Sequence, residues 1–280
     1  MGDSQTARRV PDFLIIGAQK SGTSSIVKAL STSPQVWITP KKELHYFNRQ
    51  IDAPESWNRY CDEFSQAPSN CRVGEATPDY LPKPSCARRI HDALPQARLI
   101  ICLRNPVDRA HSAFWHAKRL GHIPRSMSFE SVLDRDTREF GSPWTNIIEN
   151  GCYSTQLLRY LSLFPEEQIH LLLFDDLLLN PGEAISGILR HIDRENSPEH
   201  HLSEGELPHL NEAQRWILPQ LTKKLLRLPR GSRFVRKTLT RRELPPRMEA
   251  STKQQLIELY QPWNRQLEGI LGRSLEAWSA

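Results

Sequence analysis

Gly17 and Gly22 bracket a short loop that carries Lys20 and Ser21 and runs on into Thr23 and Ser24 (GAQKSGTSS). Two glycines let a backbone turn tightly and aim several N–H groups at one anion. The apolar spacing that follows (Ile26, Val27, Leu30) predicts a helix whose positive dipole end faces the same spot. These residues make a phosphate cradle. A nucleoside triphosphate loop reads GxxxxGK[ST], with lysine directly after the second glycine and a neighbouring hydroxyl for Mg²⁺. Here Thr23 follows Gly22, the lysine lies inside the loop, and no acidic strand end suited to a metal follows. The pattern suits a phosphate-bearing donor handled without a metal. A structural β–α turn with an incidental lysine competes with it, so a second element is needed.

That element is Arg104, at the end of the apolar run Arg98–Leu103. Open α/β sheets bind ligands at the carboxyl ends of their strands. Pro106 sits where helix starts favour proline, which puts Ser112 about two turns along, within reach of the same anion. An Arg–Ser pair suits a second phosphate, because the guanidinium fork bonds two oxygens at once. Arg109 on the same helix reads as a solvated or ion-paired surface charge.

The pairing of IIGAQKSGTSS with LRNPVDRAHSAF resembles the PAPS-dependent sulfotransferases, in particular the glycosaminoglycan type, such as the heparan sulfate N- and 3-O-sulfotransferases, and their bacterial relatives. The similarity runs from about Asp12 to Phe174 and returns in NRQLEGILGRSLEAW. It implies a P-loop-like three-layer sandwich and 3′-phosphoadenylyl sulfate (PAPS) as co-substrate. By resemblance, Lys20, Ser21, Gly22, Thr23 and Ser24 hold the 5′-phosphosulfate, while Arg104 and Ser112 hold the 3′-phosphate. Tyr153 falls where the family often places a tyrosine near the nucleotide; a half-buried core tyrosine is the alternative.

The segment KKELHYFN matches the family's catalytic stretch. Glu43 aligns with the glutamate that takes the proton of the attacking group, His45 with its neighbour, and Asn48 with a position often held by aspartate. A carboxylate within hydrogen-bond reach of a hydroxyl is worth about 10²–10⁴-fold in rate. On the residues alone, Glu43 pairs with Lys41 or Lys42 at the surface, and His45 is either a core-edge histidine or a second base. In GEATPDY, Ala76 stands where relatives carry a lysine. That departure weighs against a heparan-type acceptor and leaves Lys20, helped by Lys42, as the main positive charge. Glu75 reads as a partner of Lys20 or an alternative base, and Tyr80 as a packing residue lining the cleft. The implied reaction is in-line, metal-free sulfuryl transfer to an acceptor hydroxyl of a carbohydrate or glycoconjugate. The alternatives are a small hydroxylated lipid or natural product as acceptor, or a kinase-like or non-catalytic nucleotide-binding protein of the same fold.

The elements that position these residues follow from the apolar runs. Strands are expected near 12–17, 36–38, 72–74 (with Val73 at a strand end), 98–103 and 168–174, alternating with helical patterns. That alternation predicts α/β architecture, a central parallel sheet flanked by helices. The 280 residues suffice for one domain, 1–280, with a flexible 1–10 and a mainly helical part over 209–280.

The net charge of +5 is concentrated in the basic segment 223–247. That segment could close over the nucleotide, steer an anionic acceptor or form a solvated face; nothing in it supports nucleic-acid binding. Five cysteines form no CxxC, so no metal site is expected, and Cys61 with Cys71 either bridge or remain thiols. No apolar run approaches the roughly 18 residues of a membrane span. With no signal peptide visible, the expectation is a cytoplasmic enzyme.

Overall fold

The computed structural model describes residues 8–49, 54–124, 126–134, 146–193 and 245–279. Strand β1 (Phe13–Gly17) is buried along its whole length. It lies in the middle of a five-stranded sheet of order β2-β3-β1-β4-β5, with β2 (Val36–Ile38), β3 (Arg72–Ala76), β4 (Arg98–Leu103) and β5 (Ile169–Leu173). Every pairing is parallel. A parallel sheet is covered by helices on both faces, which is why its strands read as unbroken apolar runs.

On one face Phe13, Ile15, Ile100 and Cys102 pack against Ile26 and Leu30 of helix α1 (Thr23–Leu30) and against Ile185, Ile188 and Ile192 of the helix Pro181–Ile192. The alternate residues Leu14, Ile16, Leu99, Ile101 and Leu103 point to the opposite face and are equally buried. Burying each such side chain contributes about 1.5–3 kcal/mol. Gly74 is dictated by its register partner: a Cβ there would meet the Phe13 ring at 2.3 Å.

The five strands form where the sequence places them, with one correction. β3 does not end at Val73 but runs on to Ala76, so Glu75 belongs to the sheet and is fully buried.

Contacts divide the chain into two compact units. Met1–Arg104 with Tyr153–Leu210 form the first, which holds the whole sheet; Asn105–Cys152 with Asn211–Ala280 form the second. Within the second, the helix α4 (Pro106–Arg119), which follows α2 (Pro54–Asp62) and α3 (Pro84–Ala93) in the chain, packs Val107, Ala110 and Phe114 with Phe129, Ile147, Leu256 and Tyr260. Arg109 corrects the expectation of a surface charge. It is fully buried, and its guanidinium donates to the Ile147 carbonyl. It shares the buried stripe of α4 with Pro106, Ala110 and Ala113. Most of the basic segment 223–247 falls outside the described residues, as do 1–7 of the expected N-terminus. Among the described residues all five cysteines are free thiols, and no helix is long and apolar enough to cross a membrane.

Candidate functional site

At the carboxyl end of β1 the chain turns through Lys20 and Gly22 before α1 begins. Gly22 caps α1 at φ 85°, and a Cβ there would meet the Phe174 ring at 2.9 Å. Only glycine fits both conditions. Lys20 also takes a left-handed φ, 71°, which costs an L-residue on the order of 1–3 kcal/mol and survives only where the surroundings enforce it. The first N–H groups of a helix have no intrahelical partner. Here no acidic residue occupies the first turn of α1 and no side chain caps it, so the positive helix end is left for an outside anion. Ser21 is completely buried, and its hydroxyl has no hydrogen-bond partner among the described residues. A buried, orphaned hydroxyl inside an amide-lined turn fits a phosphate-bearing group.

Arg104 leaves the end of β4 beside this turn. Its Nη1 donates to the Lys20 carbonyl at 3.3 Å, and its guanidinium lies over the Phe174 ring, 4.9 Å from the centroid. Tyr153 holds the other end of the residue, its hydroxyl donating to the Arg104 carbonyl at 2.8 Å. Tyr153 itself is buried, so it acts on the site through the backbone of Arg104. Ser112 lies on α4, in the second unit, about two turns from the helix start.

Glu43 and His45 both adopt left-handed backbone, φ 56° and 55°. Glu43 Oε2 lies 3.4 Å from His45 Nε2, and Glu43 Oε1 lies 4.0 Å from the Lys42 ammonium. The Asn48 amide is 3.0 Å from His45 Nδ1. In the tautomer whose Nδ1 accepts from that amide NH₂, Nε2–H faces Glu43. Lys41 is engaged elsewhere, by Glu63. The Glu43 side chain is 34% exposed, and it borders a pocket of about 300 Å³. Thr23 and Ser24 at the start of α1 line the same pocket, together with the apolar Val27, Ile38, Ala76 and Pro78 and the cationic Lys41 and Lys42. The pocket therefore joins the cradle's edge to the carboxylate.

Glu75 sits behind these walls. Its Oε1 accepts from the hydroxyls of Tyr60 at 2.8 Å and Tyr80 at 3.0 Å, and its Oε2 accepts from Thr77 at 2.8 Å. Burial pushes its carboxyl above the usual range, opposed by those hydrogen bonds. Glu75 does not line the pocket. Tyr80, expected to line the cleft, is fully buried and also absent from the pocket's walls.

A family model for the sulfotransferase domain matches residues 10–240. The chain belongs to the sulfotransferase family. This sulfotransferase is 33% identical over 132 residues to the membrane-associated sulfotransferase kil1 of Dictyostelium discoideum, spanning 45% of this chain and 28% of that protein. It is 30% identical over 207 residues to the bifunctional heparan sulfate N-deacetylase/N-sulfotransferase 2 of Bos taurus, spanning 67% of this chain and 22% of that one. The chain thus spans only about a quarter of the length of these two relatives. Heparan sulfate glucosamine 3-O-sulfotransferase 6 of Mus musculus is 26% identical over 272 residues, which is 95% of this chain and 73% of that protein. Among solved structures, a sulfotransferase from Alicyclobacillus acidocaldarius superposes with a TM-score of 0.73 at 27% identity, covering 97% of this chain and 100% of that one. The sulfotransferase fold is the P-loop-like α/β sandwich described above.

Three features of this sulfotransferase site escaped the sequence. Phe174 supplies the platform under Arg104, and the only signal for it is its place directly after β5. Asp79 approaches His45 Nδ1 at 4.0 Å. The third is the ring of donors around Glu75, where Tyr60 arrives from the helix α2 (Pro54–Asp62), distant in the chain. Among the described residues no cluster of His, Cys, Asp and Glu is placed to hold a metal ion.

Proposed function

We propose that this chain transfers a sulfuryl group from PAPS to an acceptor hydroxyl, with Glu43 as general base. The observation that carries the reading is the pocket bordered at once by Thr23 and Ser24, at the positive end of α1, and by the Glu43 carboxylate. A donor held at the first and an alcohol held at the second meet in that space. The Lys20 turn and the first amides of α1 are suited to the negative charge that builds on the leaving bisphosphate. Arg104, braced by Tyr153 and stacked on Phe174, presents a fixed fork to the 3′-phosphate. Glu43 accepts the acceptor's proton, and His45 Nε2–H steadies that carboxylate. Bound PAPS supplies the sulfuryl group and its leaving bisphosphate. A sulfuryl group carries less charge than a phosphoryl group, so positioning and these donors suffice.

A carbohydrate or glycoconjugate hydroxyl is the first acceptor class, in line with the names of the heparan sulfate relatives. A small hydroxylated lipid or natural product is the second. It is favoured by Ala76 and by the apolar walls at Val27, Ile38 and Pro78.

Calorimetry with 3′,5′-bisphosphoadenosine against ATP tests the donor reading. We expect a strong preference for the bisphosphate that disappears in Arg104→Ala. Equal affinity for both nucleotides would favour a kinase-like or general nucleotide-binding role. Radiolabelled PAPS offered with a panel of sugar and non-sugar alcohols separates the two acceptor classes.

A further inference from the structure

Glu43 and His45 are L-residues in left-handed wells on either side of Leu44. Glycine occupies that region without steric cost, but neither position is glycine, so the turn persists because its neighbours enforce it. Two backbone N–H groups bracket His45, and both lead to one carboxylate. The Tyr46 N–H donates to the Tyr80 hydroxyl at 3.0 Å, and that hydroxyl donates in turn to Glu75 Oε1 at 3.0 Å. The Leu44 N–H faces the Glu75 carboxylate itself.

The rings tell the same story. Tyr60, whose hydroxyl also donates to Oε1, stacks on Tyr46 with centroids 4.5 Å apart. Phe47 packs edge-on to Tyr60 at 5.4 Å and to Tyr80 at 5.5 Å. The two tyrosines that satisfy Glu75 are therefore the two that clasp the residues following His45.

We propose that Glu75 is a positioning residue that locks the turn carrying Glu43 and His45, a role that rests on Glu43 being the base. It is not itself a base. Its carboxylate is fully buried, receives the hydroxyls of Tyr60, Tyr80 and Thr77, and does not line the pocket that Glu43 borders. A strand residue suits the task, because β3 is held on both edges by β1 and β2, and a site is most precise when anchored to rigid elements.

Amide hydrogen exchange, read residue by residue by NMR on the full chain, tests this with Glu75→Gln and Tyr80→Phe. Glutamine keeps the shape but turns an acceptor into a donor. Phenylalanine keeps the ring and removes the hydroxyl that links Tyr46 to Glu75, so it carries the test should Glu75→Gln fail to fold. Exchange at Leu44 and Tyr46 in Glu75→Gln, and at Tyr46 in Tyr80→Phe, should accelerate by about tenfold or more while the amides of β1 and β4 keep their protection. Calorimetry on the same proteins should give affinities for 3′,5′-bisphosphoadenosine within about twofold of wild type, since the cradle lies outside the turn. Unchanged exchange at both amides, or acceleration spread evenly over the sheet, overturns the proposal. Should the wild-type chain fail to bind the bisphosphate, the donor reading falls, and the exchange pattern still decides whether Glu75 grips the turn.

Discussion

The Tyr153 hydroxyl donates to the backbone carbonyl of Arg104 at 2.8 Å, so a buried tyrosine holds the backbone of the residue proposed to grip the 3′-phosphate. Tyr153→Phe removes that bond and leaves the carbonyl without this donor, at a cost of about 1–3 kcal/mol. We expect a lower denaturant midpoint and only a few-fold loss of bisphosphoadenosine affinity. A loss as large as that of Arg104→Ala would place the hydroxyl on the nucleotide itself.

Arg104 is argued to act through its planar fork as well as its charge. Arg104→Lys keeps the charge but cannot stack on Phe174 or bond two oxygens at once. Its affinity for 3′,5′-bisphosphoadenosine should fall by about tenfold, and that of Arg104→Ala by about tenfold again, from charged hydrogen bonds worth about 1.5–3 kcal/mol. Lysine binding as well as arginine in calorimetry would reduce the role to a point charge.

Glu43→Gln separates catalysis from binding. Loss of the base should lower kcat by about 10²–10⁴-fold, with bisphosphoadenosine affinity unchanged. Full turnover with radiolabelled PAPS would remove Glu43 from the reaction.

Gly22→Ala meets two obstacles, the left-handed φ of 85° and the Phe174 ring. Alanine where φ is positive destabilises by more than about 1 kcal/mol. Urea melts should show that loss, and calorimetry a weaker cradle. A stable Gly22→Ala chain with full affinity would mean that the turn can relax.

Glu75 makes stability pH-dependent in a stated direction. Its folded carboxyl titrates above the unfolded range because burial disfavours the charge. Folding then takes up a proton, so the contribution is fully present below the ordinary glutamate value of about 4.3. It is lost as pH rises through the raised value, by at most about 1.4 kcal/mol per pH unit. The stability of wild type relative to Glu75→Gln, from urea melts at several pH values, should therefore fall as pH rises. A gap that widens with pH would show that the tyrosine and threonine donors outweigh burial.

The strands were legible because Phe13–Ile16, Leu99–Leu103 and Leu171–Leu173 are apolar without alternation, which two covered sheet faces demand. β3 was readable only as far as Val73, since Gly74 and Glu75 are poor strand formers in isolation and stay in the sheet through Phe13 and the buried hydroxyls. Arg109 misled by its charge, although its spacing from Pro106 and Ala113 already put it on the inner stripe of α4. The loop residues at 20–24 were evident from the two glycines. The left-handed turn at Glu43 and His45 was not, because no glycine marks it and its enforcers lie in β3, in α2 and at Tyr80.

The order of the sheet has a consequence for synthesis. Phe13 pairs with Gly74 on one side and Arg98 on the other, so β1 leaves the ribosome well before either of its neighbours. Translation adds roughly 5–20 residues per second, and for several seconds an almost wholly apolar peptide waits without a neighbour. Nascent chains of this protein should therefore draw on holdase chaperones until β4 has emerged. A circular permutant opening before β3 would shorten that vigil.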